Sequence, residues 1–183
     1  MENIKSFQSQ KVIKFLAIIF LGSILLTASA KFKIPFYPVP MTMQTFVVLF
    51  FGLAFGYKIG LSIVGLYLIE GILGLPVFSN SPERGVGLIY FTGPTMGYLI
   101  GFLFAVFLSG YLDLKKNIFI IFLKLLLSVS VIYILGLIWL GILIGWDKPI
   151  LELGAIPFLP AELLKILILT LLTKKIIKLR SFI

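Results

Sequence analysis

The sequence contains no cysteine and no histidine, and charged residues make up only 13% of its 183 positions. The missing cysteines and histidines exclude disulfides, thiolate nucleophiles, imidazole bases and the commonest zinc ligands. The phosphate-binding pattern G-x-x-x-x-G-K-[ST] is also absent, so ATP hydrolysis through that motif would have to occur on another chain. The scarcity of charge, about half of what a soluble domain carries, argues against a largely water-exposed surface.

Hydrophobic residues are abundant and make up 60% of the sequence. A soluble fold of this size cannot bury that much apolar surface, whereas lipid can cover it. The net charge is +9, but the basic residues lie at the ends of apolar runs. That placement indicates membrane topology and gives no sign of nucleic-acid binding. We therefore interpret residues 1–183 as a single integral membrane domain, embedded in the lipid bilayer of a cell membrane.

The apolar runs predict an all-α membrane protein with six transmembrane helices. A spanning helix needs roughly 20 mostly apolar residues, and fewer where neighbouring helices shield it. The predicted segments are residues 12–30, 41–56, 59–74, 88–112, 118–145 and 159–172. The second and third are separated only by Tyr57 and Lys58, so a count of five helices is the main alternative.

The distribution of basic residues predicts that both termini are cytoplasmic. With six segments and the N-terminus inside, eleven of the sixteen lysines and arginines fall on inner segments, four on outer segments and one, Lys165, within the sixth helix. This excess agrees with the positive-inside rule. The run Ala28-Ser29-Ala30 resembles a signal-peptide cleavage site, but the long apolar stretch before it favours a retained first helix.

Residues that are energetically unfavourable inside a lipid bilayer, because they are polar or break a helix, cluster on the predicted outer side. They include Pro35, Pro38 and Pro40 before the second segment, Asn80 and Arg84 after the third, Gly93 and Pro94 in the fourth, Trp139 and Trp146 at the end of the fifth, and Pro157, Pro160, Glu162 and Lys165 around the start of the sixth. Irregular backbone at membrane depth persists only where it packs in protein or lines a cavity. The pattern therefore predicts a cavity that opens to the outer face.

Glu162 and Lys165 are the strongest candidates for the lining of that cavity. Their i,i+3 spacing places both side chains on one face of a helix. Ionisable groups within a span usually face a bundle interior or a water-filled cavity. Contact with a polar ligand is the favoured interpretation, and a structural salt bridge to hold the helix is the alternative.

Four other polar or aromatic residues are weaker candidates. Gln44 needs hydrogen-bond partners, which a ligand or another helix can supply. Asn80 and Arg84 lie in a polar outer stretch, where Arg84 could attract a carboxylate or be solvated. Tyr98 could stack on a ring or pack between helices. Glu70, near the outer end of the third segment, could line the site or simply reach the interface.

Three glycines of the fourth segment, Gly93, Gly97 and Gly101, form the pattern G-x-x-x-G-x-x-x-G. Such spacing lets two membrane helices approach closely. We interpret these glycines as packing residues.

Four ordered motifs give the chain a family resemblance. They are PVPMTMQT at residues 38–45, GLPVF at 74–78, GPTMGYLIGF at 93–102 and PFLPAELLK at 157–165. In order and spacing they resemble the signature segments of BioY, the biotin-specific S component of energy-coupling-factor (ECF) vitamin transporters.

The resemblance implies a six-helix S component that binds biotin from the outer face. It also implies partners, namely a transmembrane T component and two ATPase subunits that hydrolyse ATP. The same resemblance implies that this chain carries no cofactor and no metal. Glu162 and Lys165 correspond to an acidic residue and a lysine that contact biotin, although family members commonly carry Asp at the first position. The A-x-x-x-A pattern by which S components often meet the T component corresponds here only to Ser23 and Thr27.

Three functions follow from these observations. In the first, the chain captures biotin in an apolar cavity, Lys165 and Arg84 neutralise its carboxylate, and Glu162, Gln44 and Asn80 pair with its ureido group. In the second, the chain is an S component for another vitamin. In the third, it is an intramembrane enzyme, which the shortage of catalytic side chains disfavours.

Overall fold

The computed structural model describes residues 2–111 and 117–182, with side chains at 10–111 and 117–180, and it is mainly helical. Six α-helices follow in order: α1 (Glu2–Lys31), α2 (Gln44–Ile72), α3 (Met96–Gly110), α4 (Ile118–Ile144), α5 (Ile150–Gly154) and α6 (Leu159–Ile176). Three 3-10 helices cover Gly87–Thr92, Ile156–Phe158 and Ile177–Phe182. Two short antiparallel strands, β1 (Lys33–Ile34) and β2 (Met41–Thr42), pair between α1 and α2.

Four helical segments of the described chain are long and apolar enough to cross a membrane: Gln10–Lys31, Gln44–Ile72, Ile118–Ile144 and Ile150–Arg180, the last containing α5 and α6. The shorter apolar helix α3 adds 15 residues. Large apolar side chains such as Ile134, Ile142 and Leu171 are exposed on the outside of the bundle. This surface suits contact with lipid, and it agrees with the predicted all-α membrane fold.

Helix α2 folds back on itself at Gly56. The Gly56 backbone has φ of 78° and ψ of 173° inside the helix, a conformation that favours glycine. The Gln44 amide nitrogen lies 2.8 Å from the Tyr67 hydroxyl, although the two residues are 23 positions apart. In an unbroken helix that separation would be about 35 Å. The sequence placed the break between the second and third segments one residue later, at Tyr57 and Lys58.

Arg180 satisfies the carbonyl groups that the bend in α2 leaves free. Its Nε donates to the Leu53 oxygen at 2.9 Å, and its Nη2 donates to the oxygens of Gly52 at 3.0 Å and Gly110 at 3.3 Å. Carbonyls at a helix C-terminus lack partners within the helix. The end of the chain thereby joins the bend of α2 to the last turn of α3.

The fourth predicted segment differs most from the structure. Its first part forms the 3-10 helix Gly87–Thr92, and α3 begins only at Met96. Pro94 explains the interruption, because proline lacks an N–H group and disfavours helical backbone at the residue before it. The predicted end of this segment at Leu112, and the inner lysines Lys115 and Lys116, lie outside the described residues.

Helix α3 packs between α2 and α4, α1 packs on α2, and α6 closes the bundle against α2 and α4. Gly97 and Gly101 lie where α3 crosses α4, and a Cβ atom on Gly101 would be 2.7 Å from the Ile132 Cα. Gly93 precedes α3, where its carbonyl oxygen accepts a 2.8 Å hydrogen bond from the Trp139 indole. The close approach to α4 agrees with the interpretation of Gly97 and Gly101 as packing residues, whereas Gly93 lies outside the helix and takes no part in that crossing.

Two lysines, one at the end of α1 and one in β1, hold the loop after α2 in place. The Lys31 ammonium donates to the Phe78 and Ser81 carbonyl oxygens, both at 2.8 Å. The Lys33 ammonium donates to the Ser79 carbonyl oxygen at 2.7 Å. These contacts bring the β1–β2 connection and the loop at residues 77–85 together at one end of the bundle.

Candidate binding site

A cavity lies at the end of the bundle where those two loops meet. Its volume is about 520 Å³, open mouth included. The walls come from β2, the first turn of α2, α3, α4 and the start of α6. They are mostly apolar and aromatic, with polar groups at a few points, as is usual in small-molecule sites. The lining residues are Val39, Pro40, Met41, Thr42, Gln44, Thr45, Ser79, Tyr90, Thr95, Tyr98, Leu99, Phe102, Ile132, Tyr133, Phe158 and Glu162.

Glu162 is the charged residue of this lining, and its two carboxylate oxygens differ in their hydrogen-bond partners. Glu162 is 4% exposed. Its Oε1 accepts hydrogen bonds from the Lys165 ammonium at 2.8 Å and from the Thr45 hydroxyl at 2.9 Å. Its Oε2 is buried and has no hydrogen-bond partner among the described residues. A buried acceptor without a donor is costly, so Oε2 is suited to an N–H or O–H group of a ligand.

Lys165 lies beside Glu162 but does not line the cavity. Its ammonium donates to three protein acceptors, namely the Thr42 carbonyl oxygen at 2.7 Å, the Thr45 hydroxyl at 3.0 Å and Glu162 Oε1 at 2.8 Å. An ammonium has three N–H groups, so these bonds satisfy it. The rest of the side chain lines a separate groove on the outside of the bundle, between the β1–β2 strands, α2 and α6. In this structure the lysine compensates a buried carboxylate.

Gln44 and Thr42 line the cavity at the start of α2, and both side chains have partners. The Gln44 amide nitrogen donates to the Tyr67 hydroxyl, which donates in turn to the Val77 carbonyl oxygen at 3.2 Å. The Thr42 hydroxyl accepts a 3.3 Å hydrogen bond from the Gln44 backbone N–H. That bond satisfies one of the free N–H groups at the helix start, although Thr42 belongs to β2 and Met43 is the residue at the N-cap.

Tyr98 faces the cavity with its ring and not with its hydroxyl. The hydroxyl donates to the Gly154 carbonyl oxygen at 2.8 Å. The ring meets Tyr133 edge to face, with the centroids 5.9 Å apart. Tyr98 therefore offers a fixed aromatic surface to whatever occupies the cavity.

Asn80 and Arg84 lie in an adjoining cleft of about 190 Å³, and Tyr90 and Thr95 line both the cleft and the main cavity. The Asn80 side-chain oxygen accepts a 3.1 Å hydrogen bond from Lys33. Arg84 donates to the Pro38 carbonyl oxygen at 2.9 Å and lies over the Tyr37 ring, 5.4 Å from its centroid. The structure thus brings Gln44, Tyr98 and Glu162 together and places Asn80 and Arg84 beside them.

Glu70 lies away from this cavity. Its carboxylate accepts a hydrogen bond from the Ser23 hydroxyl of α1, and Glu70 does not line the cavity. Ser23 is 1% exposed. It therefore packs inside the bundle and is not available for a docking surface on α1. No group of three acidic, histidine or cysteine side chains that could hold a metal occurs among the described residues.

Several lining residues were not predicted from the sequence, among them Thr45, Ser79, Tyr90, Thr95 and Phe158. Thr45, Thr95 and Phe158 do belong to the motifs at residues 38–45, 93–102 and 157–165. Their neutral side chains gave no reason to choose them over the other motif residues. Only the packing of α6 against α2 brings the Thr45 hydroxyl to Glu162.

Three of the four motifs, at residues 38–45, 93–102 and 157–165, supply residues of this lining, and the motif at 74–78 ends beside the lining residue Ser79. The model of the BioY family matches residues 2–182. The chain belongs to the BioY family. "Biotin transporter BioY" of Thermotoga maritima is 34% identical over 156 residues, which cover 85% of this chain and 90% of that protein. "Probable biotin transporter BioY" of Pyrococcus horikoshii is 35% identical over 141 residues, or 77% and 82% of the two chains.

A solved structure supports the assignment of the chain to this family. The crystal structure of the S component for biotin from an ECF-type ABC transporter superposes with a TM-score of 0.76 and is 26% identical, covering 92% of this chain and 93% of that one. The BioY family consists of transporter components, so the chain is not an enzyme. With several helices of membrane-spanning length, this BioY member is a multi-pass protein of the cell membrane.

Proposed function

We propose that the chain is the biotin-capturing subunit of an ECF vitamin transporter. The single observation that carries the proposal is Glu162, a residue of the lining of an otherwise largely apolar and aromatic cavity, whose buried carboxylate keeps one oxygen, Oε2, without a hydrogen-bond partner among the described residues. Biotin combines a cyclic urea with N–H donors, an apolar ring system and a carboxylate. The family and the relatives named above support the choice of this ligand.

The proposed roles of the residues follow from where they lie. Glu162 accepts an N–H of the ureido ring, and Gln44 and Asn80 provide further polar contacts to the ring. The Tyr98 ring forms one apolar wall. Arg84, in the adjoining cleft, attracts the carboxylate of the valerate chain. Lys165 contributes to binding through the charge and position of Glu162, because its own N–H groups are already used by the protein.

The proposed topology has six membrane spans with both termini in the cytoplasm. The four helical segments of membrane length support it if α2 is counted as two spans, on either side of Gly56, and α3 as one more. The excess of basic residues on the inner segments supports the orientation. The cavity would then open to the outside, where the vitamin is scarce.

The proposed partners are a transmembrane T component and two ATPase subunits. The absence of the phosphate-binding motif supports this assignment, since the energy for uptake would have to come from other chains. In this arrangement the chain itself needs no cofactor, and biotin is its transported ligand.

Titration calorimetry of the purified protein in detergent tests the proposal. Biotin should bind with a sub-micromolar dissociation constant, which corresponds to more than about 8 kcal/mol. Glu162→Gln should weaken binding, because an amide turned toward the cavity presents a donor to the ureido N–H. Riboflavin and thiamine are the comparison ligands. Clear binding of either, with no heat from biotin, would support the alternative of an S component for another vitamin.

A further inference from the structure

Thr45 occupies a central position in the polar contacts behind Glu162. It is 8% exposed, on the first turn of α2. Its hydroxyl donates to Glu162 Oε1 at 2.9 Å and accepts from Lys165 at 3.0 Å. The hydroxyl thus stands between the acid and the amine of α6, although Thr45 and Glu162 are 117 residues apart in the chain.

These contacts control which carboxylate oxygen is left without a donor. The last torsion of a glutamate side chain is broad, so the carboxylate rotates unless its oxygens are held. Here two donors hold Oε1, and the third N–H of Lys165 is engaged by the Thr42 carbonyl. Lys165 therefore has no N–H left for Oε2, which stays without a partner.

Removal of the Thr45 hydroxyl should change this arrangement. Lys165 would regain one unpaired N–H, and Oε1 would lose one of its two donors. The carboxylate can then turn so that the ammonium contacts both of its oxygens. Oε2 would no longer be free to accept a bond from a ligand.

From this geometry we propose that Thr45 is a positioning residue for substrate recognition, which keeps Glu162 Oε2 free to select ligands that carry a cyclic urea N–H. The inference rests on the proposed function, because it assigns a selectivity to the same cavity. It differs from a purely structural role for Thr45, which would affect folding and leave the choice of ligand unchanged.

The test compares biotin with two analogues, each methylated on one ureido nitrogen. These analogues keep the carbonyl, the ring sulfur and the valerate chain but lose one N–H. Dissociation constants are measured for wild type, Thr45→Val, Thr45→Ala and Thr45→Ser. The readout is the ratio of the constants for analogue and biotin within each variant, which does not depend on the fraction of protein that is folded. Melting temperatures are recorded alongside.

Wild type should prefer biotin over one of the analogues by about tenfold or more, as expected for a hydrogen bond to a charged group. Thr45→Val and Thr45→Ala should lower that ratio at least about fivefold. Thr45→Ser should restore it, because serine supplies the same hydroxyl. Thr170→Val is the matched control, since among the described residues that buried hydroxyl bonds only to the Ile166 carbonyl one turn earlier in α6.

Each possible result decides the inference. A wild-type ratio that persists in Thr45→Val and Thr45→Ala, even with a lower melting temperature, would overturn the role of Thr45 and leave biotin capture intact. The same holds if Thr170→Val lowers the ratio as much as Thr45→Val. If wild type binds neither biotin nor its analogues, the proposed function fails and the inference fails with it.

Discussion

Replacement of Lys165 by methionine removes the positive charge behind Glu162 and keeps an apolar stem of similar length. The Lys165 and Glu162 side chains are only 7% and 5% exposed. Their ion pair is therefore largely desolvated, and the lysine also bonds to Thr42 and Thr45. In Lys165→Met, the Thr45 hydroxyl is the remaining hydrogen-bond donor to Glu162 Oε1 among the described residues.

The expected loss of stability is large. Removal of one partner from a buried ion pair costs about 3–5 kcal/mol, because the other charge is left uncompensated. For a protein of this size, each kcal/mol corresponds to roughly 2–4 °C, so the melting temperature without ligand should fall by roughly 6–20 °C. Biotin affinity should fall as well, by about 2–5 kcal/mol, because Glu162 loses the group that holds it in place.

The assay measures the melting temperature without biotin and the dissociation constant with it, for Lys165→Met, Glu162→Gln and the double variant. The double variant leaves no uncompensated charge, so it should recover part of the melting temperature without recovering the affinity. Lys148→Met is the matched control. The ammonium of Lys148 is paired with Asp147 at 3.2 Å, but both side chains are exposed, and such pairs contribute little.

Two results would refute this reasoning. If Lys165→Met keeps the melting temperature and loses most of the biotin affinity, the lysine contacts the ligand directly and its bonds to the protein are unimportant. If the melting temperature falls and the affinity is unchanged, Glu162 does not face the ligand. The second result would also remove the main support for the proposed binding mode.

Three further predictions concern the bundle. Arg180→Met should lower the free energy of unfolding by about 1–2 kcal/mol in chemical denaturation, because three carbonyl groups lose a charged donor. An unchanged denaturation midpoint would contradict the role assigned to Arg180. Gly101→Ala should cost about 1–3 kcal/mol through overpacking against α4, whereas Gly65→Ala, where an added Cβ meets nothing within 4 Å, should not destabilise the protein. Reporter fusions at Lys58 and Arg84 should report the cytoplasmic and the outer side respectively, and a shared side would exclude the six-span topology.

Much of the fold class was predictable because it depends on properties of short stretches of sequence. Long apolar runs determine where helices cross lipid, and proline and glycine determine where the backbone leaves the helix. The break at Gly56 and the late start of α3 at Met96 follow these rules. The hydropathy of residues 88–112 nevertheless predicted one continuous helix, because an apolar run does not show that Pro94 interrupts it.

The candidate site was predictable only in part. The spacing of Glu162 and Lys165 placed both on one face of α6, and the structure pairs them at 2.8 Å. Spacing along one helix says nothing of what lies opposite. The sequence left open whether the lysine faces a ligand or the protein, and the structure shows its ammonium bonded to Thr42 and Thr45.

By itself, then, the sequence determined the membrane environment, the positions of most helices and the motifs that surround the cavity, because hydropathy and backbone preference act over a few neighbouring residues. Only the tertiary structure decided which atoms meet. The contact of Thr45 with Glu162 joins positions 117 residues apart, and that of Gln44 with Tyr67 joins the two halves of a folded helix. Such contacts depend on how whole helices cross. Side-chain packing along their full length sets that geometry, and no short stretch of sequence encodes it.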